Sequence, residues 1–153
     1  MKKGYKFKLE AVLKIRKLAE EQVKMQLGRV NVQIAEVEDN IKEQDASIDE
    51  AYKSQEAGLN SGLDGQEIRF HPYFVQGKKA HIEYLESQLR MLESERGKLQ
   101  TELNRKRADV KVIEKLKEKD FKEYKNRIEK KQSQQLEEDV LTWFDRNRKG
   151  ASA

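Results

Sequence analysis

The sequence predicts an all-α protein, a long antiparallel two-helix coiled-coil hairpin, and three observations carry that prediction. Charged residues make up 39% of the chain and hydrophobic residues only 36%, with a mean hydropathy of −1.00. Apolar residues recur at alternating steps of three and four along two long segments, and one dense turn cluster separates those segments. This composition and period are typical of long helices that bury one narrow seam against a partner helix.

The first segment is expected to form a helix from about residue 7 to about residue 56, roughly 75 Å long at 1.5 Å per residue. Ten of its thirteen seam positions are apolar. Two of the polar ones, Arg16 and Glu20, stand one turn apart and are expected to pair with each other. The seam positions are Leu9, Leu13, Arg16, Glu20, Val23, Leu27, Val30, Ile34, Val37, Ile41, Gln44, Ile48 and Ala51.

The turn cluster contains three glycines within eight residues and predicts a bend at about residues 57–65. Asp64, followed three residues later by Glu67, has the spacing of a capping box that starts a second helix. Pro72 then stands about two turns into that helix and predicts a break or a kink there. The glycines are Gly58, Gly62 and Gly65.

Apolar and aromatic residues crowd the start of the second helix. They either seal the end of the hairpin or form an exposed docking patch, and their spacing alone does not choose between the two. They are Ile68, Phe70, Tyr73, Phe74 and Val75.

The second helix is expected to run from about residue 66 to about residue 148. Pairing the two arms about the bend places Tyr52 opposite residues 76–80 and Leu9 opposite Asp120. The seam positions are Ile82, Leu85, Leu89, Leu92, Arg96, Leu99, Leu103, Lys106, Val110 and Ile113, followed after a shift in rhythm by Leu116 or Lys117, then Phe121, Tyr124 and Ile128.

Beyond Tyr124 the second helix has no partner within the chain, yet it still carries large apolar residues. A helix that buries none of its own surface is marginal in water. This overhang therefore either frays or is held by another protein through Leu136, Val140, Leu141, Trp143 and Phe144.

Charge is distributed unevenly along the chain. Residues 1–24 have a net charge of +5, residues 32–68 of −8 and residues 96–131 of +7. A hairpin would bring the two basic parts together at one end and leave the acidic part near the other. Such a field can steer and orient a partner.

Few residues favour catalysis, and we expect the chain not to be an enzyme and to bind neither a cofactor nor a metal. It contains no cysteine, and its two histidines, His71 and His81, stand without further ligands at metal-binding spacing. No glycine-rich phosphate loop is present, and the carboxylates fall on solvated helix faces. No apolar run reaches the length of a membrane span, and the basic N-terminus lacks the apolar core of a secretory signal.

Two other binding functions remain open at this point. The basic stretches at residues 105–107 and 115–131 could contact nucleic acid or an anionic membrane surface, but acidic residues interrupt them throughout, so no nucleic acid is expected. A coiled-coil holdase chaperone would need exposed apolar residues at its helix tips and a separate assembly hub, and no hub segment is visible.

Three separate pieces of the chain, in this order and spacing, resemble the FliJ family of the bacterial flagellar export apparatus. The first is Phe7-Lys8-Leu9-Glu10 with Leu13, Arg16, Glu20 and Glu21. The second is the turn cluster followed by Phe74, an aromatic residue near the start of the second helix. The third is Arg105-Lys106-Arg107, then Glu114-Lys115-Leu116-Lys117-Glu118-Lys119, then Tyr124.

The resemblance implies a hairpin like the central stalk of rotary ATPases, placed in the cytoplasm at the membrane-embedded base of the flagellum. It also implies a function without catalysis of its own. The stalk would insert into the hexameric flagellar export ATPase, promote its activity, and link it to the export gate membrane protein and to export chaperones. The equivalent stalk of a virulence type III secretion system has the same architecture and stays an alternative.

The resemblance also assigns two sets of site residues. The ATPase contact would use Arg16, Lys17, Glu20, Glu21, Lys115, Lys117 and Tyr124. The export-gate contact would use Tyr52, Phe74 and His81, near which Lys78 stands where the family tends to have an apolar residue.

Overall fold

The computed structural model describes residues 4–62 and 65–151, and these residues form two α-helices and no strand. Helix α1 spans Glu10–Ser61 and helix α2 spans Gly65–Ala151. The two helices pack against each other along their apolar seams. The predicted all-α class and two-helix hairpin are thereby confirmed.

Helix α1 begins three residues later and ends five residues later than the sequence pattern indicated. Its first turn is closed by a hydrogen bond from the backbone N–H of Glu10 to the C=O of Phe7, at 3.2 Å. Its end is set by Gly62, whose φ of +82° is the left-handed conformation that terminates helices after their last turn. The connection is therefore shorter than the nine-residue bend expected, and Asp64 of the expected capping box lies outside the described residues.

Helix α2 is continuous through Pro72, which is its eighth residue. Proline cannot donate the backbone hydrogen bond of that turn. Packing holds the next turn in place, because Val75 is buried in a cluster with Ile48 and Ile82. The helix therefore does not break at the proline.

The chain divides into two units, and each draws residues from both helices. The terminal unit comprises Met1–Ala19 and Lys106–Ala153, and the bend unit comprises Glu20–Arg105. In the terminal unit, Leu13 of α1 packs against Val110 and Ile113 of α2. Phe7 and Val12 cover that cluster.

The bend unit contains two buried clusters. One is formed by Val23, Val30, Ile34, Leu99 and Leu103, and the other by Ile48, Val75 and Ile82. Every seam position predicted on either helix is buried or half-buried, except Leu9 and Ile128, which are each 37% exposed. Of the alternatives Leu116 and Lys117, Lys117 is half-buried and Leu116 is 44% exposed. The predicted seams are therefore confirmed at all but two positions.

The pairing register is shifted relative to the one expected. The ring of Tyr52 lies 5.4 Å from the ring of His71, five residues before the expected range of 76–80. At the other end, Tyr5 rather than Leu9 reaches Asp120. The partner of a residue in a hairpin depends on where the bend is centred, and both contacts place that centre slightly earlier in the chain than the expected pairing assumed.

Two valines on the same stretch of α1 allow a matched test of the seam. We expect Val30→Ala to lower the free energy of unfolding by about 2 kcal/mol, since it removes two buried methyl groups and leaves a cavity. Val30 is 4% exposed and Val32 is 58% exposed. Val32→Ala should therefore change stability by less than about 0.5 kcal/mol. Urea denaturation followed by circular dichroism measures both, and equal losses in the two variants would contradict the seam.

Candidate functional site

Three of the residues that the resemblance assigns to the ATPase contact hold the terminal unit together. The guanidinium of Arg16 donates to the C=O of Asp109 at 2.9 Å. The Nζ of Lys117 lies 2.8 Å from Oε2 of Glu10. The ring of Tyr124 lies 5.2 Å from that of Tyr5. These three side chains therefore contribute to helix pairing as well as being available in part to a partner.

The other assigned residues are positioned differently. Lys17 and Lys115 are exposed in the terminal unit. Glu20 and Glu21 belong to the bend unit, where Glu20 is half-buried at its seam position and Glu21 is exposed. The seven assigned residues therefore do not all belong to one unit.

The hydrogen bond from Lys117 lowers the pKa of the Glu10 carboxyl, and the positive charges of Lys117, Lys14 and Lys17 lower it further. Partial desolvation opposes this effect. Glu10 is therefore held in its charged form among several cations, and it offsets part of the positive charge of this unit.

Residues Gly4–Leu9 precede α1 and form a segment that we call the N-terminal strap. The hydroxyl of Tyr5 donates to Oδ2 of Asp120 at 2.7 Å, and its ring meets the ring of Phe121 edge-on at 5.1 Å. Partial burial, followed by the hydrogen bond and the negative charge of Asp120, raises the pKa of Tyr5 to about 12. The strap covers the last paired turns of α2.

The sequence pattern did not predict the strap, because it indicated a helix that starts at about residue 7. A signal was present, because Tyr5 and Phe7 place two aromatic rings in a basic segment that has no other apolar residue before Leu9 except Met1. Aromatic residues at that spacing need a surface to pack on. Phe121 and Tyr124 on α2 provide one.

From Lys125 to Gly150 every residue of α2 is exposed, and we call this stretch the C-terminal extension. Trp143 and Phe144 are each 59% exposed, and their rings meet edge-on at 5.2 Å. The remaining large apolar residues, Ile128, Leu136, Val140 and Leu141, are 37%, 65%, 46% and 65% exposed. The extension thus presents the apolar residues that the sequence places beyond the last paired turn.

The residues assigned to the export gate all lie in the bend unit. Tyr52 is 47% exposed, whereas Phe74 is half-buried in the cluster of Ile48 and Val75. The Nζ of Lys78 lies 5.5 Å from the centre of the Phe74 ring, within cation–π range. Lys78, which stands where the family tends to have an apolar residue, therefore covers Phe74, one of the aromatic residues assigned to the gate contact.

His81 is exposed, and its ring stacks on that of Tyr84 at 6.4 Å. No sequence pattern indicated a binding role for His71. Its ring packs against that of Tyr52, and its Nε2 is buried without a hydrogen-bond partner. Tyr52 and His71 line one shallow groove together with Pro72 and Lys79. A partner that bound Tyr52 would therefore also meet this histidine.

The cluster of apolar and aromatic residues at the start of α2 contains both buried and exposed side chains. Val75 is 6% exposed, and Tyr73 is 76% exposed. The side chains of Ile68 and Phe70 lie outside the described residues. Both interpretations of the cluster thus apply, each to different members.

Among residues 4–62 and 65–151, no group of three or more histidines and carboxylates could hold a metal ion. No helix in this part of the chain is long and apolar enough to cross a membrane. The features that the structure offers a partner are exposed helix faces.

Long paired helices with exposed apolar and charged faces define an interaction protein of the coiled-coil class. The model of one family, described as the flagellar FliJ protein, matches residues 5–149 of the 153-residue chain. The chain therefore belongs to the FliJ family, whose members are non-enzymatic components of the flagellar export apparatus. No curated protein and no solved structure matches the chain.

The raised pKa of Tyr5 predicts a pH-dependent contribution of the strap. The folded state favours the protonated phenol, so the contribution is fully present below the ordinary tyrosine pKa of about 10 and is lost as pH rises toward 12. Tyr5→Phe removes the titrating group and keeps the ring. We expect the difference in thermal midpoint between the natural protein and Tyr5→Phe to be constant from pH 7 to 9 and to shrink above pH 10. A difference that stays constant through pH 11.5 would contradict the hydrogen bond to Asp120.

Proposed function

We propose that this chain is the stalk and coupling protein of the flagellar export apparatus. It inserts into the hexameric export ATPase, promotes ATP hydrolysis, and links the ATPase to the export gate and to export chaperones. It acts in the cytoplasm, at the membrane-embedded base of the flagellum. The single observation that carries the proposal is the C-terminal extension, a helical stretch of an export-apparatus protein with six large apolar side chains exposed.

Exposed apolar residues on one helix favour a partner that covers them. A helix with no tertiary contacts gains little stability from its own hydrogen bonds, so its apolar side chains are available to stabilise a complex. Trp143 and Phe144 together offer the kind of aromatic anchor that supplies most of the binding energy at protein interfaces. A ring of ATPase subunits would cover these side chains on several sides.

The charges of the two units support a fixed orientation in the complex. The terminal unit contains 21 Lys and Arg against 11 Asp and Glu, a net charge of +10, whereas the bend unit contains 11 against 17, a net charge of −6. Opposite net charges on two parts of one chain align it in the field of a charged partner. We infer that the ATPase meets the basic terminal unit.

The gate contact is proposed for the bend unit, through Tyr52, Phe74 and His81. Support comes from the exposure of Tyr52 and His81 and from the groove beside Tyr52. Because these residues belong to a different unit from the C-terminal extension, one chain could hold both partners at the same time. The export chaperones are proposed as further partners on the resemblance to the family alone.

The holdase alternative shares one supporting observation, since exposed Trp143 and Phe144 could also bind unfolded chains. The two functions differ in selectivity. A holdase would suppress the aggregation of an unrelated heat-unfolded protein, whereas a stalk would bind its own ATPase and leave that aggregation unchanged. The stalk of a virulence secretion system is distinguished by motility, because deleting the gene would then leave flagellar assembly intact.

The C-terminal extension predicts the result of a double substitution. We expect Trp143→Ala with Phe144→Ala to weaken binding of the export ATPase at least about tenfold, because two aromatic anchors are lost from the interface. ATP hydrolysis measured against increasing concentrations of the chain reports this change. Tyr73→Ala is the matched control, since Tyr73 is 76% exposed and lies on the same helix in the bend unit. Equal stimulation by all three proteins would overturn the proposed contact.

Because the two proposed contacts use different residues, a substitution in one of them should weaken that contact selectively. We expect Tyr52→Ala to weaken binding of the cytoplasmic part of the gate protein by about five- to tenfold and to leave ATPase stimulation unchanged. Pull-down and calorimetric titration measure the first effect. Leu59→Ala is the control on the same helix, since Leu59 is also exposed, at 57%. The gate assignment fails if both variants bind the gate like the natural protein.

A further inference from the structure

We call the two sides of the helix pair in the terminal unit, on either side of the plane that contains both helix axes, its flanks. The two flanks differ in chemistry. The position of the seam on α1 shows which residues lie on each flank. Leu13 is 3% exposed, and Arg16 donates to the backbone of α2, so both face the partner helix. At about 100° per residue, Ile15 lies about 130° around the helix from the seam on one side. Lys14 lies at about the same angle on the other side.

Helix α2 repeats this arrangement. Val110 and Ile113 are each 5% exposed and pack against α1. Val112 stands two residues after Val110 and one before Ile113. Ile15 stands in the same way two residues after Leu13 and one before Arg16. Lys111 corresponds in the same way to Lys14.

Equivalent positions on two antiparallel helices lie on the same flank of the pair. The two-fold axis that relates such helices passes between them at right angles to both, and rotation about it keeps each flank on its own side. Ile15 and Val112 therefore share one flank, and Lys14 and Lys111 share the other. The contacts of Leu13 with Val110 and Ile113 place both pairs at the same height along the unit.

The flank that carries Ile15 and Val112 is apolar over about two helical turns. Ile15 is 66% exposed, Val112 is 56% exposed and Leu116 is 44% exposed. The apolar flank consists of these residues with half-buried Val12 and Ala19, and Val12 joins it to the buried cluster beneath.

The opposite flank carries charged residues at the equivalent positions. It presents Lys14 and Lys17 from α1, and Arg107 and Lys111 from α2. Single exposed aliphatic residues are normal on protein surfaces, and Leu18, which is 64% exposed, is one such residue on the outer face of α1. Several exposed aliphatic residues on the same flank mark a binding face. Pairing within the hairpin does not explain them, since the seam is already complete.

We propose that the apolar flank is a docking face for the export ATPase, and that it receives an amphipathic helix whose apolar strip is bordered by carboxylates. This proposal rests on the proposed function. Two paired helices present a groove along each flank, and an amphipathic helix fills such a groove by laying its apolar strip into it. Val12, Ile15, Val112 and Leu116 supply the apolar surface for that strip.

Charge and position select the ATPase as the occupant. Lys115 and Lys119 are exposed beside Leu116 and border the flank with positive charge, which carboxylates of the partner would match. Lys115 also belongs to the residues that the resemblance assigns to the ATPase contact. The apolar flank therefore extends a surface that the proposed function already uses. A second copy of the terminal unit would fit the flank poorly, because both surfaces are strongly basic and would repel each other.

Two double variants of the full chain test the proposal at equivalent positions. Ile15→Gln with Val112→Gln alters the apolar flank, and Lys14→Gln with Lys111→Gln alters the opposite one. Because all four side chains are exposed, both variants should unfold within a few degrees of the natural protein. A milder pair, Ile15→Ala with Val112→Ala, replaces the first variant if it proves unstable. Binding to the export ATPase of the same organism is titrated at physiological salt, and sedimentation measures self-association.

We expect the apolar-flank variant to bind the ATPase at least about tenfold more weakly, and the control variant to stay within about threefold of the natural protein. If the natural protein binds and both variants bind equally well, the docking face is overturned while the proposed function stands. A change in self-association alone would assign the flank to a second copy of the chain and would also overturn it. If the natural protein itself does not bind the ATPase, the proposed function fails and this proposal fails with it.

Discussion

Burial of one apolar seam between α1 and α2 is the constraint on which the other features depend. Within the described residues, the side chains that are buried are hydrophobic, and all of them except Val75 come from the predicted seam positions of the two helices. No polar or charged side chain of this part of the chain is fully buried. Stability therefore comes from a regular series of aliphatic contacts, and the register of that series decides which residues remain for partners.

The register has consequences at both ends of the seam. In the terminal unit, the strap places Tyr5 against Phe121 and Tyr124, and every residue from Lys125 to Gly150 is exposed. The same register turns Ile15 and Val112 to one flank. In the bend unit, it brings His71 to Tyr52 and leaves both at a surface groove. The alignment of this one seam therefore determines which residues form each proposed binding surface.

The sequence predicted the class, the seam and the exposed extension, because a repeat of seven residues determines which face of a helix is buried. It misjudged the helix ends, since one left-handed glycine, Gly62, ends α1 where three glycines suggested a longer bend. It missed the strap and the contact of His71 with Tyr52, because both depend on tertiary packing between segments distant in sequence. The apolar flank was also missed, because it becomes apparent only when both helices are placed in register.

The central claim is that the C-terminal extension is where the export ATPase binds, and the only tryptophan of the chain reports on it directly. The measurement is a titration of the chain with the ATPase of the same organism, following the emission of Trp143 and ATP hydrolysis in one sample. The account predicts that the emission shifts to shorter wavelength as the indole leaves water, and that the shift saturates together with the rise in hydrolysis. A rise in hydrolysis with unchanged Trp143 emission would contradict the placement of the contact, and no change in either signal would contradict the stalk function itself.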